Sequence, residues 1–248
     1  MKYDNKIYYK LHGKYALFTD PLTKIGGEKF SYQVPTYQAL KGITESIYWK
    51  PTFIWVIDEV RVMKLIRMQS QGIRPIHYYD NKNDLSIYTY LREVEYEVKA
   101  HFEWNELRED LKNDRNENKH WDIAKRMIEK GGRRDIFLGT RECQGYVEAF
   151  EGNEKYGDKK SDYQGSNIDF GIMVHGITYP DEQSENKEKD GKKLAKMQVR
   201  LWDCKMVDGV IKFIKPNECS IIKDIRDVEI KKFIPNTNFR YVSDEKIV

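Results

Sequence analysis

Cysteine is scarce in this 248-residue chain: Cys143, Cys204 and Cys219 stand far apart and form no Cys-x-x-Cys pair. A disulfide framework or a cysteine-held zinc is therefore not expected, and a reducing compartment fits best. Long apolar runs are missing too, and nothing approaches the roughly 20 residues that a membrane helix needs. Met1, Lys2, Tyr3, Asp4, Asn5 and Lys6 lead into no apolar stretch, so no signal peptide is expected. These absences predict a cytoplasmic protein with no membrane attachment. Net charge is nearly absent as well. Lys and Arg number 43 against 40 Asp and Glu, leaving +3, so a nucleic-acid site must be a local basic patch. The five histidines show no His-x-x-x-His or His/Cys spacing and the acidic residues are scattered, so neither a metal site nor a cofactor is expected.

Aromatic residues are abundant: 17 Tyr, 10 Phe and 5 Trp. Such rings fill cores and sheet surfaces, and can stack on bases. Residues 7–18 read as a first strand, interrupted at Gly13. After Pro35 the apolar residues Leu40, Ile43 and Ile47 fall at helical spacing until Pro51, with Tyr48 in the last turn, just off the buried stripe. Residues 52–68 read as extended. Residues 93–104 alternate strictly, Val94, Tyr96, Val98, Ala100, Phe102 and Trp104 against Glu93, Glu95, Glu97, Lys99, His101 and Glu103, which predicts a strand with one wet face. A second helix is expected over 118–130, with Asn116 or Asn118 as its cap and Gly131 as its stop. A short strand follows at 145–150. Strand, helix, strand, strand, helix, strand is the ferredoxin-like order, shared with RNA-recognition domains. Residues 151–167 read as a linker and 181–193 as a mobile loop. Asp208 and Gly209 mark a hairpin turn between extended segments.

Residues 131–146 concentrate Gly131, Gly132, Gly139 and Gly145 with Arg133, Arg134 and Arg141, just after the basic pair Lys119 and His120. Glycines let a backbone approach a ligand closely, and arginine forks fit phosphate oxygens. Lys24 and Lys29 flank a second pair, Gly26 and Gly27. Lys24, Lys29, Arg133, Arg134 and Arg141 are the candidates for gripping RNA. An exposed lysine or arginine is ordinarily just solvated, and it is their grouping in glycine-containing loops that raises the case.

The run Tyr15-Ala16-Leu17-Phe18-Thr19-Asp20-Pro21-Leu22-Thr23-Lys24-Ile25-Gly26-Gly27-Glu28-Lys29 continues through Val34-Pro35-Thr36-Tyr37-Gln38 to Glu45-Ser46-Ile47-Tyr48-Trp49-Lys50-Pro51-Thr52. With Met173-Val174-His175-Gly176 and Val199-Arg200-Leu201-Trp202, it resembles the CRISPR-associated Cas5 family, dvulg subtype. That family supplies the precursor-processing endoribonuclease of type I-C systems. The resemblance implies an α+β fold: a ferredoxin-like, RNA-recognition-like domain over 1–152, followed by a smaller antiparallel β region over 165–248. It implies cleavage of pre-CRISPR RNA at the base of a repeat hairpin without a metal, and a place among the other subunits of a surveillance complex. It marks Tyr48, Lys119 and His120 as catalytic. A basic groove reading the RNA backbone would also admit duplex DNA as a secondary ligand.

RNA carries its own nucleophile, the 2′-hydroxyl, so such an enzyme needs a base, a charge stabiliser and an acid. Histidine, ordinarily titrating near 6.5, suits His120 to proton transfer. Lys119 offers a point charge, and Tyr48 a hydroxyl that stays protonated near neutrality. A cation at a helix start opposes the helix dipole unless a phosphate binds there. His12, His77, His101 and His175 are expected to be structural, with no partner evident for His101. The competing function is a non-catalytic subunit that holds the 5′ handle of the CRISPR RNA, which would need no such trio.

Overall fold

The computed structural model describes residues 5–150, 159–179, 187–189 and 192–229. Helices are few, and the strands form one extended, mainly antiparallel sheet. Its spine is β5 (Ser86–Trp104). One edge of β5 is taken by β1 (Lys6–Ala16). The other edge is shared by β3 (Phe53–Val62), paired from Phe53↔Trp104 to Val62↔Tyr96, and β4 (Met68–Ile73), paired from Met68↔Leu91 to Ile73↔Ser86. Beyond β1 lies β7 (Gln144–Glu148), hairpinned with β6 (Ile136–Phe137). The order β3-β5-β1-β7 places the first strand between the third and the fourth of the expected set. The two-residue β2 (Lys29–Phe30) adds a parallel pairing to Tyr88 and Thr89.

Helix α2 (Tyr37–Ile47) and helix α3 (Glu117–Glu129) cover this sheet, while α1 (Pro21–Lys24) is a single turn. Thr36 caps α2 by accepting the Ala39 amide, so the helix starts two residues after Pro35. Leu40, Ile43 and Ile47 meet Ile7, Tyr9 and Leu11 of β1 and Val98, Ala100 and Phe102 of β5 in one core. In β3 the inward positions run Phe53, Trp55, Ile57 and then Val60, Val62. A register shift between Ile57 and Glu59 changes the phase.

The alternation of 93–104 breaks at one place. Glu97 is 2% exposed and bound to Arg61 at 2.7 Å, so the wet face carries a paired charge. β1 also runs unbroken through Gly13, because a Cβ there would meet Leu138 and the Gln144 carbonyl: the glycine admits the β6–β7 hairpin.

The remaining strands are β8 (Asn167–Thr178), β9 (Lys187–Lys189), β10 (Lys192–Val207), β11 (Val210–Lys212) and β12 (Ile221–Glu229). The turn between β10 and β11 has positive φ at Asp208 (52°) and Gly209 (78°), as a tight hairpin needs. β11 then pairs with β3, so the sheet is continuous across the two regions. Two loop expectations need correction. Of the expected linker, 151–158 lie outside the described residues, but 159–166 are packed: Ser161 donates to the Val62 carbonyl at 2.5 Å and the Ile66 amide to the Tyr163 hydroxyl at 2.8 Å. Of the expected mobile loop, 187–189 form β9 against the start of β10, while 181–186 and 190–191 lie outside the described residues.

His175 joins α2 to β8. Its ring stacks on Tyr37 with centroids 4.2 Å apart, and its Nε2–H donates to the Ile214 carbonyl at 3.0 Å. Burial, aided by the Arg200 charge, lowers its pKa to about 4. An unfolded histidine titrates near 6.5, so between those values the unfolded chain binds more protons and stability rises with pH. This contribution is complete above about 6.5 and lost as pH falls toward 4. Denaturant unfolding should show roughly 2 kcal/mol lost through His175 between pH 7 and pH 5. His175→Gln should flatten the pH dependence over that window, and a slope unaltered in the variant would refute the assignment. His101 works with the opposite sign. It does have a partner: Asp58 lies 2.8 Å from its Nδ1 and raises its pKa, and this contribution fades as pH rises.

Candidate active site

Helix α3 begins at an Asn116 cap whose side chain accepts the Lys119 amide at 3.1 Å. Its buried positions are His120, Ala124 and Ile128, spaced by four. His120 is therefore part of the inward stripe and 0% exposed, where a surface histidine would be the ordinary reading of the sequence. It sits among Phe53, Phe102 and Trp104 with ring centroids 5.2, 6.4 and 5.9 Å away.

Tyr48 is the C-cap of α2, extended at φ −157° and ψ 125°. Leaving the helix turns its side chain inward, so Tyr48 is 2% exposed and not beside the buried stripe as its helical angle suggests. The Trp55 indole donates to its carbonyl at 2.7 Å. The Tyr48 hydroxyl lies 2.8 Å from His120 Nδ1, and His120 Nε2 lies 2.8 Å from the main-chain carbonyl of Asp114. A carbonyl can only accept, so Nε2 carries the proton. With that proton on Nε2, the neutral form of the ring offers the Nδ1 lone pair, to which the Tyr48 hydroxyl donates. Burial, reinforced by the Asp114 charge and opposed by Arg133, pushes the Tyr48 phenol up to about 12, so it stays a donor at neutral pH.

Lys119 joins the pair through Asp114, which ends the 3-10 turn Glu109–Asp114. Lys119 Nζ donates to Oδ1 at 2.5 Å, and Thr52 Oγ1 donates to Oδ2 at 2.8 Å. Led by the Lys119 bond, these contacts lower the Asp114 pKa. Neither Asp114 nor Thr52 was among the sequence candidates. The available signal was an acid close enough before Lys119 to reach it across a helix cap.

The segment 131–134 ties the two helices together. Gly131 (φ 79°) ends α3: its amide donates to the Ile128 carbonyl and the Gly132 amide to that of Met127, a Schellman closure. The Arg133 and Arg134 amides then donate to Ile47 and Ser46, satisfying carbonyls at the end of α2. Their side chains are exposed and line a cleft of about 570 Å³ with Lys130, Gln144 and Tyr146.

The five basic candidates fall into two groups. Arg133 and Arg134 adjoin the Tyr48 end of α2. Lys29, whose ammonium lies 4.8 Å from the centre of the Tyr88 ring, sits at the start of β5; Lys24 ends α1, shortly before it, and Arg141 follows the Gly139 turn beside Leu17. From Tyr88 to Trp104, beside His120, is about 50 Å of extended strand. Among the described residues, no three His, Cys, Asp or Glu side chains gather to hold an ion, and no helix is long and apolar enough to cross a membrane.

Known proteins point to one relationship. The family model for Cas5d, described as CRISPR-associated protein (Cas_Cas5), matches residues 7–214. A protein of Mannheimia succiniciproducens named CRISPR pre-crRNA endoribonuclease Cas5d is 28% identical over 198 residues, covering 71% of this chain and 86% of its own length. A protein of the same name from Thermus thermophilus is 27% identical over 183 residues, with coverages of 70% and 73%. The crystal structure of a CRISPR-associated protein, 40% identical, covers 88% of this chain and 96% of its own, with a TM-score of 0.72. A functionally uncharacterized protein from Streptococcus mutans, 43% identical, has the same coverages and a TM-score of 0.71. A match spanning most of the chain leaves one conclusion: it belongs to the CRISPR-associated Cas5d family.

Proposed function

We propose that this chain is an endoribonuclease that processes pre-CRISPR RNA, cutting at the base of the repeat hairpin without a metal. It leaves a 2′,3′-cyclic phosphate and a 5′-hydroxyl, and stays on its product as a subunit of a type I-C surveillance complex. The observation that carries this reading is the 2.8 Å contact between the Tyr48 hydroxyl and His120 Nδ1, beside Lys119. The names of the curated relatives support it. So does the strand order β3-β5-β1-β7, which we read as the ferredoxin-like domain assigned to 1–152, with the β region assigned to 165–248 appended; of these, 1–4, 151–152, 180–186, 190–191 and 230–248 lie outside the described residues.

His120 has no exposed surface, so its proton traffic runs through Tyr48. The 2′-hydroxyl gives its proton to the Tyr48 oxygen as Tyr48 passes its own to Nδ1. The 2′-oxygen attacks phosphorus, and the 5′-oxygen leaves with a proton from the Tyr48 hydroxyl, which takes one back from Nδ1 and so restores both groups. Lys119 is half exposed and its tie to Asp114 is a screened surface pair, so it exchanges that carboxylate for the phosphorane oxygens. Tyr48→Phe keeps the ring and loses the relay, so it should slow cleavage on the scale of a histidine loss. Near-normal cleavage by the Phe variant, with purified protein, cognate repeat RNA and excess chelator, would exclude the relay.

Arg133, Arg134, Lys24, Lys29 and Arg141 are assigned to the RNA backbone, and the same groups would let duplex DNA bind as a secondary ligand. Replacing Arg133 and Arg134 with alanine should weaken binding and reduce the salt dependence, by about one unit of log–log slope for each phosphate that is no longer neutralised. An unchanged slope would remove this loop from the RNA site.

A further inference from the structure

We propose that Asp114 and Thr52 are positioning residues that hold His120 in the tautomer able to accept the Tyr48 proton. The kinetic consequence rests on the ribonuclease reading above; the structural one does not. His120 carries its proton on Nε2 because that atom faces the Asp114 carbonyl. If the carbonyl moved away, the proton could sit on either nitrogen, and a ring protonated on Nδ1 has no lone pair for Tyr48. What fixes this carbonyl is therefore part of the site.

Burial does not fix it, since none of the residues of the turn Glu109–Asp114 is buried. The carbonyl also accepts the Asn116 amide at 2.9 Å, but that bond moves with the turn, and side-chain bonds are what fasten the turn to the sheet. Asp114 accepts from Thr52 at 2.8 Å, and Thr52 is 1% exposed and directly precedes β3. The Thr52 carbonyl in turn accepts the Asn105 amide at 3.0 Å, just past the end of β5. Arg115, following Asp114, donates to the Asn105 carbonyl at 2.9 Å. The turn is thus moored to the ends of β3 and β5. Lys119 also binds Asp114, but with half its side chain exposed it is the weaker mooring. Thr52 is the rigid link between the sheet and the imidazole.

Two measurements test this. In free protein with ¹⁵N-labelled histidine, long-range ¹H–¹⁵N correlations should show His120 protonated on Nε2, and Thr52→Val and Asp114→Ala should give a mixture of tautomers. Single-turnover cleavage by both variants should fall by roughly 10- to 100-fold, the scale on which orienting partners of active histidines act. RNA affinity should be unchanged for Thr52→Val, and unchanged or tighter for Asp114→Ala, which removes a negative charge. Thr52→Ser keeps the hydroxyl and should restore both tautomer and rate. A Thr52→Val protein with the parent's His120 tautomer and cleavage rate would overturn the proposal. If the tautomer shifts as expected but the parent protein cuts no RNA, the ribonuclease reading fails and the positioning role stands.

Discussion

Repeat RNA lacking one 2′-hydroxyl, at the nucleotide immediately upstream of the cut, is expected to bind and remain intact. In the proposed reaction the missing oxygen is the nucleophile, so no group in the protein can replace it, whereas one absent hydrogen bond should cost affinity only about 1 kcal/mol. His120→Ala should give the same phenotype from the protein side. It removes the acceptor behind Tyr48 and should slow cleavage by roughly 10²- to 10⁴-fold. Because His120 has no exposed surface, it touches no RNA before reaction and binding should change little. Its burial among Phe53, Phe102 and Trp104 also means that alanine leaves a cavity, so His120→Gln serves as the control for folding. Gel analysis of end-labelled RNA decides the matter. Normal cutting of the deoxy-substituted RNA, or products with a 3′-hydroxyl, would falsify attack by the 2′-oxygen.

The largest effect on stability should come from Gly139→Ala. Gly139 has φ +93°, and an added Cβ would lie 2.1 Å from the carbonyl oxygen of Leu17 and 2.6 Å from its carbon. Both obstacles are backbone, inside a core that includes Leu17 and Leu138 at 0% exposure. Strained φ and overpacking together should cost roughly 2–6 kcal/mol. At about 2–4 °C per kcal/mol for a domain of this size, melting should drop by about 10 °C. Gly42→Ala is the contrast. That glycine is exposed within α2, with nothing within 4 Å of the added methyl, and the change should stabilise by up to about 1 kcal/mol. A Gly139→Ala protein melting within two or three degrees of the parent would mean that the β6–β7 hairpin does not pack on β1 as described.

Local features were legible and long-range ones were not. The apolar stripe of α2, the Asn116 cap, the stop at Gly131, the hairpin at Asp208-Gly209 and most of β5 each follow from a few neighbouring residues. Glu97 looked solvated because alternation cannot see Arg61 on the adjacent strand. His101 looked solitary because Asp58 reaches it from β3, the adjacent strand. His120 is the instructive case. Read as the end of a polar run it faces water, but read with Ala124 and Ile128 it lies on the buried stripe. Tyr48 needed knowledge of where α2 stops, since one extended residue redirects its side chain. Thr52 and Asp114 carry no periodic signal, and their meeting depends on how the ends of two strands receive the start of α3.

The bond between Tyr48 and His120 spans 72 residues, and the intervening chain includes β3, β4 and β5, the middle of the sheet. At about 5–20 residues per second, a ribosome needs several seconds to deliver the second residue after the first. Until then Tyr48 has no imidazole to work with, and the strands that will flank the pair are still unclosed. The pair therefore forms only as the sheet closes, so completing the middle of the sheet and assembling the site are one folding event.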